Sequence, residues 1–154
     1  MLTFRQAVWL FPLSFVLHVL EEWTRFPSWA NRYASARYTR REYVIIHLVG
    51  IAGALIGAGI MSWLPDRPLV FVFFAFLFVP ATLWNALFHA GATMVFRSYC
   101  PGVVTAMIVY PLVFYLVSER ALREGFIGIG SWTTALAIAA AFHVWEVRHN
   151  VFKA

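Results

Sequence analysis

The chain has 154 residues, 62% of them hydrophobic and only 12% charged, with a mean hydropathy of +0.73. An ordinary soluble domain carries roughly 45–50% apolar and about 25% charged residues, so these proportions exclude that class and point to a membrane protein. The net charge of +5 comes from arginines that flank apolar runs, which suits lipid headgroups and topology rather than nucleic acid.

The length fits one domain, residues 1–154, without internal repeats, and the single cysteine, Cys100, excludes an intramolecular disulfide framework. Five stretches approach the roughly 20 apolar residues that a helix needs to cross a bilayer. They fall at 4–23, 43–64, 69–96, 102–119 and 127–150, which predicts an all-α, polytopic bundle of five membrane helices. The first stretch has Arg5 before its apolar run and Ala34-Ser35-Ala36 beyond it, but the polar gap between is too long for a signal-cleavage region. The second carries Gly50, Gly53, Gly57 and Gly59, a small-residue face for close packing that would also suit a homodimer. Pro80 predicts a kink in the third, and Pro101-Gly102 starts the fourth.

Orientation follows from the basic residues. Arg25, Arg32, Arg37, Arg40, Arg41, Arg97, Arg148 and Lys153 share one side, against Arg5, Arg67, Arg120 and Arg123 on the other. The positive-inside rule then puts the N-terminus outside and the C-terminus in the cytoplasm, as a multi-pass protein of a bacterial inner membrane. Trp23, Trp29 and Trp145 against Trp9, Trp63 and Trp132 suit interfacial belts.

Odd-numbered spans end, and even-numbered spans begin, on one face. His18, Glu21, Glu22, Glu42, His47, Asn85, His89, Tyr99, Thr105, His143, Glu146 and His149 therefore all fall in the same half of the bilayer. His18 and Glu22 are four residues apart and His18 and Glu21 three, and Asn85/His89, His143/Glu146 and Glu146/His149 repeat that spacing, so each pair shares a helix face. An ionised side chain at the membrane centre costs at least about 2.5–3.5 kcal/mol, so these groups should face one another inside the bundle. The blander account, a packed histidine on a backbone carbonyl or a glutamate snorkelling to the interface, suits Glu42 and His149 best. Arg97 reads first as an interfacial anchor.

These residues resemble a known family, the HXXEE-domain integral membrane proteins, whose motif stands here as His18-Val-Leu-Glu21-Glu22. Pro27 and Trp29, then Asn85-Ala-Leu-Phe-His89, then Arg97-Ser-Tyr99-Cys-Pro101-Gly102-Val-Val-Thr105 continue the resemblance in order. It implies a multi-span protein with a metal-dependent site of His, Glu, Asn and Arg, and no settled reaction.

Imidazoles with carboxylates suit zinc, iron or manganese. The expected ligands are His18, Glu21, His89 and His143, with Glu22 as general base and Asn85 stabilising charge or orienting a ligand; His47, Glu146, His149, Arg97, Tyr99 and Thr105 are further candidates. Glu146-Val-Arg-His149 has the Glu-x-x-His form of di-iron bundles, which leaves a two-metal site open. The expected function is a membrane metalloenzyme, a hydrolase or an oxidoreductase, acting on a lipid, isoprenoid or other hydrophobic substrate. The alternatives are a metal-free acid–base isomerase or cyclase and, ranked lower, a non-covalent haem protein for electron transfer or a proton or ion transporter.

Overall fold

A computed structural model describes residues 2–35 and 37–152; Ala36 of the small-residue triplet and Lys153 of the basic count lie outside them. Among the described residues every regular element is helical. The first predicted span is two helices, α1 (Phe4–Ala7) and α2 (Leu10–Glu22). Pro12 accounts for the break, since it has no N–H to give the Val8 carbonyl and its ring crowds that turn. Thr3 starts α1 in a capping box with Gln6, whose side chain accepts the Thr3 N–H at 3.0 Å.

Between the first two predicted spans lies an element not expected from hydropathy, the short helix α3 (Phe26–Tyr33). Pro27 sits in its first turn, where a missing N–H costs nothing, and Phe26, Trp29 and Ala30 form its buried face. Asn31 then pins the following turn through two hydrogen bonds to the Tyr38 backbone, at 2.7 and 3.0 Å. Helix α4 (Arg40–Trp63) opens with Thr39 and Glu42 capping each other's backbone N–H groups, so Glu42 is a helix-start residue.

Helix α5 runs from Arg67 to Phe96, with Asp66 accepting the Leu69 N–H at 2.8 Å as its N-cap. Where Pro80 predicts a kink, α5 widens into π-helical turns at Phe74–Phe78 and Pro80–Trp84. The Thr82 hydroxyl donates to the Phe78 carbonyl at 2.6 Å, supplying a hydrogen bond within this widened stretch. Helix α6 (Val103–Arg123) starts after Gly102 and outlasts the predicted span, because Glu119 pairs with Arg120 and Arg123 at its end. Helix α7 (Ile129–Val147) continues into a π-helical turn at Arg148–Phe152.

Helices α4, α5 and α6 are long and apolar enough to cross a membrane. Helix α2 has only 13 residues, and Thr133, Thr134, His143 and Glu146 dilute the apolar character of α7. Two apolar cores stack along the bundle. One gathers Phe4, Phe11, Phe73, Phe74, Phe78 and Val117; the other gathers Val19, Phe26, Trp29, Tyr38, Tyr43 and Cys100 around α3. Helices α2 and α5 end, and α4 and α6 begin, near the second core, the convergence that the alternating spans predicted. Helix α7 packs chiefly along α5.

Small residues let α4 approach α5. A side chain at Gly57 would meet Leu77 at 2.7 Å and the Phe73 ring at 3.1 Å. Gly57→Val is expected to lower stability by about 1–3 kcal/mol through overpacking, measured as an earlier thermal unfolding transition in detergent.

Candidate metal centre

Glu22 ends α2 fully inside the protein, at 2% exposure, and three imidazoles from three helices meet its carboxylate. His18 Nε2 of α2 lies 3.5 Å from Glu22 Oε1, His89 Nε2 of α5 lies 3.3 Å from the same oxygen, and His47 Nε2 of α4 lies 3.0 Å from Oε2. His18 reaches Glu22 because four residues make one helical turn. The other two histidines arrive from neighbouring helices.

In each ring the other nitrogen is already engaged. His47 Nδ1 donates to the Tyr43 carbonyl at 2.7 Å. His18 Nδ1 lies 2.9 Å from the Thr105 hydroxyl, which itself donates to Glu21 Oε2 at 2.6 Å and so accepts from the imidazole. His89 Nδ1 lies 3.3 Å from Cys100 Sγ, which is also 3.8 Å from the Pro101 carbonyl. Burial, and then the charges of Glu22 and Glu21, push the Cys100 thiol up, so it stays protonated. The bonds to the Tyr43 carbonyl and the Thr105 hydroxyl put the proton of His47 and His18 on Nδ1 and leave the Nε2 lone pairs of these two rings beside a carboxylate.

Lone pairs facing an anion repel, so the arrangement calls for positive charge between them, either a proton or a metal ion. The donor chemistry fits a metal. Imidazole and carboxylate are ligands for zinc and iron, and two ligand atoms on one tetrahedral ion stand about 3.3 Å apart for bonds of about 2.0 Å. The ligand atoms of His18, Glu22 and His89 lie within 4.8 Å of one another, all in buried residues. Histidine ligands commonly donate their second N–H to a carbonyl, carboxylate or other acceptor, as His47 does to the Tyr43 carbonyl and His18 to the Thr105 hydroxyl. The His18 and His89 rings meet edge to face with centroids 4.7 Å apart, which leaves no slot for a planar haem between them.

The two glutamates of HVLEE diverge. Glu21 leaves the cluster and caps α6, accepting the Val104 and Thr105 N–H groups at 3.1 and 2.7 Å, the Thr105 hydroxyl, and the Tyr99 hydroxyl at 2.5 Å. The first N–H groups of a helix have no intrahelical partner, so this carboxylate satisfies them. Burial and the bond to Glu21 push the Tyr99 phenol up to about 12. Glu21, expected as a ligand, thus acts on His18 through Thr105, while Glu22, expected as a base, occupies the middle of the cluster.

The remaining candidates divide. Asn85 Nδ2 points to His18 Nε2 at 3.4 Å, at the edge of the centre. His143 lies on α7, outside the cluster, with Nδ1 3.4 Å from Glu146 Oε2. His149 is exposed and stacks on Trp145, and exposed Arg97 ends α5 in the left-handed conformation. Three contributors were not marked as site residues from the sequence. Cys100 read as structural, Tyr43 holds His47 through its carbonyl, and Gly102 read only as a helix start. A Cβ on Gly102 would stand 2.6 Å from His18, 2.9 Å from Glu22 and 2.9 Å from His89. The one available signal was its Pro-Gly setting between Cys100 and Thr105.

A cavity of about 170 Å³ adjoins the centre. Glu22, His47, His89 and Asn85 form part of its wall, α3 contributes Phe26, and Phe76, Leu77, Pro80, Phe142 and His143 line the side towards α5 and α7. The π-helical turns of α5 therefore face this space.

The sequence model for proteins of unknown function with an HXXEE motif matches residues 9–116, which include every member of the cluster. Comparison with curated proteins and with solved structures returns no match.

Gly102→Ala is expected to break the centre apart. Alanine at φ +94° is strained by about 1–2 kcal/mol, and its methyl group would displace all three cluster side chains. The thermal unfolding midpoint should fall further than for Gly91→Ala, where a Cβ has open space.

Proposed function

The chain belongs to the family of proteins of unknown function with an HXXEE motif, and from that premise we propose a membrane-embedded, metal-dependent enzyme acting on an apolar small molecule. The observation that carries this reading is the convergence of three imidazole Nε2 atoms on buried Glu22 beside an apolar cavity. His18, His89 and Glu22 would hold one zinc or iron ion, with His47 against the second oxygen of Glu22. When bound, such an ion supplies Lewis-acid polarisation of a substrate heteroatom or, if iron, redox chemistry, which keeps both hydrolase and oxidoreductase within the proposal.

The protein's own groups do the positioning. Glu21 fixes Thr105, Thr105 fixes the tautomer and direction of His18, and the Tyr43 carbonyl does the same for His47. Asn85 presents an amide at the cavity wall where it can stabilise charge developing on a substrate. The phenylalanines of the cavity keep water away and favour an apolar body, so the bilayer is the natural source of substrate.

The topology proposed with this function has five spans, α1–α2 counting as one, with the N-terminus outside and the centre in the cytoplasmic half. The excess of arginine at the end where α2 stops and α4 starts supports it. The close Glu22–His47 pair also fits a second reading, in which a shared proton replaces the ion and the site is an acid–base isomerase or cyclase.

Metal analysis separates the two. Protein purified without chelators should carry about one zinc or iron per chain, whereas wild-type protein with no stoichiometric metal would overturn the metalloenzyme reading. Glu22→Ala and His89→Ala should abolish retention of the ion. Thr105→Val, which removes the link between Glu21 and His18, should weaken metal affinity about 10–100-fold without abolishing it, as a competition titration with a chromogenic chelator would measure.

A further inference from the structure

The cavity has a second polar wall that the metal centre does not use. His143 faces it from α7, and neither ring nitrogen has a hydrogen-bond partner among the described residues although both are buried. Buried polar atoms are nearly always bonded, so an orphaned imidazole beside an open space calls for an explanation. Glu146 Oε2 lies 3.4 Å from Nδ1, outside hydrogen-bond alignment but close enough to favour the proton on that nitrogen. Nε2 is then a buried lone pair that needs a donor. The polar groups of Glu22 and His47 are engaged with each other, and Tyr38, Asn85 and Asn150, which also line the space, make no hydrogen bond to either ring nitrogen.

We propose that the cavity binds an apolar alcohol whose hydroxyl group donates to His143, the rest of the molecule lying against the α5 wall beside the metal centre. This rests on the functional reading above and names its substrate class. A hydroxyl supplies the missing donor; a ketone or an ether does not. A carboxylate or phosphate would meet Glu22 and Glu146 in the same cavity, so the ligand carries no anionic group. Ile46 and Gly50 of α4 line the same space, and α7 packs chiefly along α5, so the gap between α4 and α7 gives the ligand a lateral way in from the bilayer. Both His143 and Glu146 lie beyond the family-matched residues 9–116, so selection of the ligand is a property of this chain's last helix.

The test uses full-length protein in lipid nanodiscs and two photoreactive probes, a decanol with a diazirine in its chain and the methyl ether of that alcohol. Mass spectrometry should find the alcohol attached to α5 and α7 at least about threefold more than the ether, the discrimination of one net hydrogen bond. His143→Phe should remove the preference while leaving the bound metal unchanged, and His143→Asn, which keeps a polar group, should retain part of it. Equal labelling by both probes in wild-type protein, or an undiminished preference in His143→Phe, would overturn the assignment. Loss of metal in His143→Phe would also overturn it, by making His143 a ligand. Wild-type protein that lacks metal yet prefers the alcohol would sink the metalloenzyme reading and leave the alcohol site standing.

Discussion

The constraint on which the rest of this structure depends is the burial of one carboxylate, Glu22, without a lysine or arginine paired to it among the described residues. An ion of that size costs several kcal/mol to take out of water even after the protein relaxes. Here its surroundings include three imidazoles, the Tyr43 phenol, a mainly apolar cavity and the bare backbone of Gly102. Imidazoles are neutral donors or acceptors until something gives them charge. The helices are thus arranged to bring imidazole nitrogens to one buried carboxylate, a donor set that suits a proton or a metal ion as counter-charge.

That demand explains features that otherwise look unrelated. Gly102 must lack a side chain because the cluster occupies the volume one would fill, and its left-handed backbone lets the chain turn into α6 at once. The turn brings the first N–H groups of α6 to Glu21, which holds that carboxylate away from the cluster. The adjacent glutamates thus divide two tasks: one is the anion of the centre, and the other stitches α2 to α6 and sets the angle of His18. Helix α3 closes the same end, with Phe26 6.0 Å from the His89 ring between centroids.

Much of this was legible from spacing and hydropathy. Alternating spans put His18, Glu22, His47 and His89 at one depth, and the four-residue interval put His18 and Glu22 on one face. What spacing could not resolve was rotation. Glu21 and Glu22 are neighbours about 100° apart around the helix, and which one faces α5 depends on how α2 is turned against α6, a tertiary fact. His143 shares the depth of the cluster and lines the same cavity but sits on a helix that packs chiefly along α5, so depth alone could not separate it from the residues that meet Glu22. Helix α3 escaped because a membrane-length window averages its eight residues with the polar turns around it. Gly102 escaped because a glycine carries no chemistry of its own; only the atoms crowding it reveal why it is there.

The contrast between α7 and the other helices bears on how such a protein changes over time. The side chains gathered around the Glu22 carboxylate come from α2, α4 and α5, and their braces come from α4, the 99–102 turn and α6. Helix α7 supplies only a wall, and its buried positions are two alanines, Ala135 and Ala139, set against α5. Among the described residues the cavity face of α7 shares no hydrogen bond or ion pair with His18, Glu22, His47 or His89, so substitutions there can reshape the cavity while leaving those four side chains in place. The shape of the cavity and the assembly of the cluster are thus carried on separate lengths of chain.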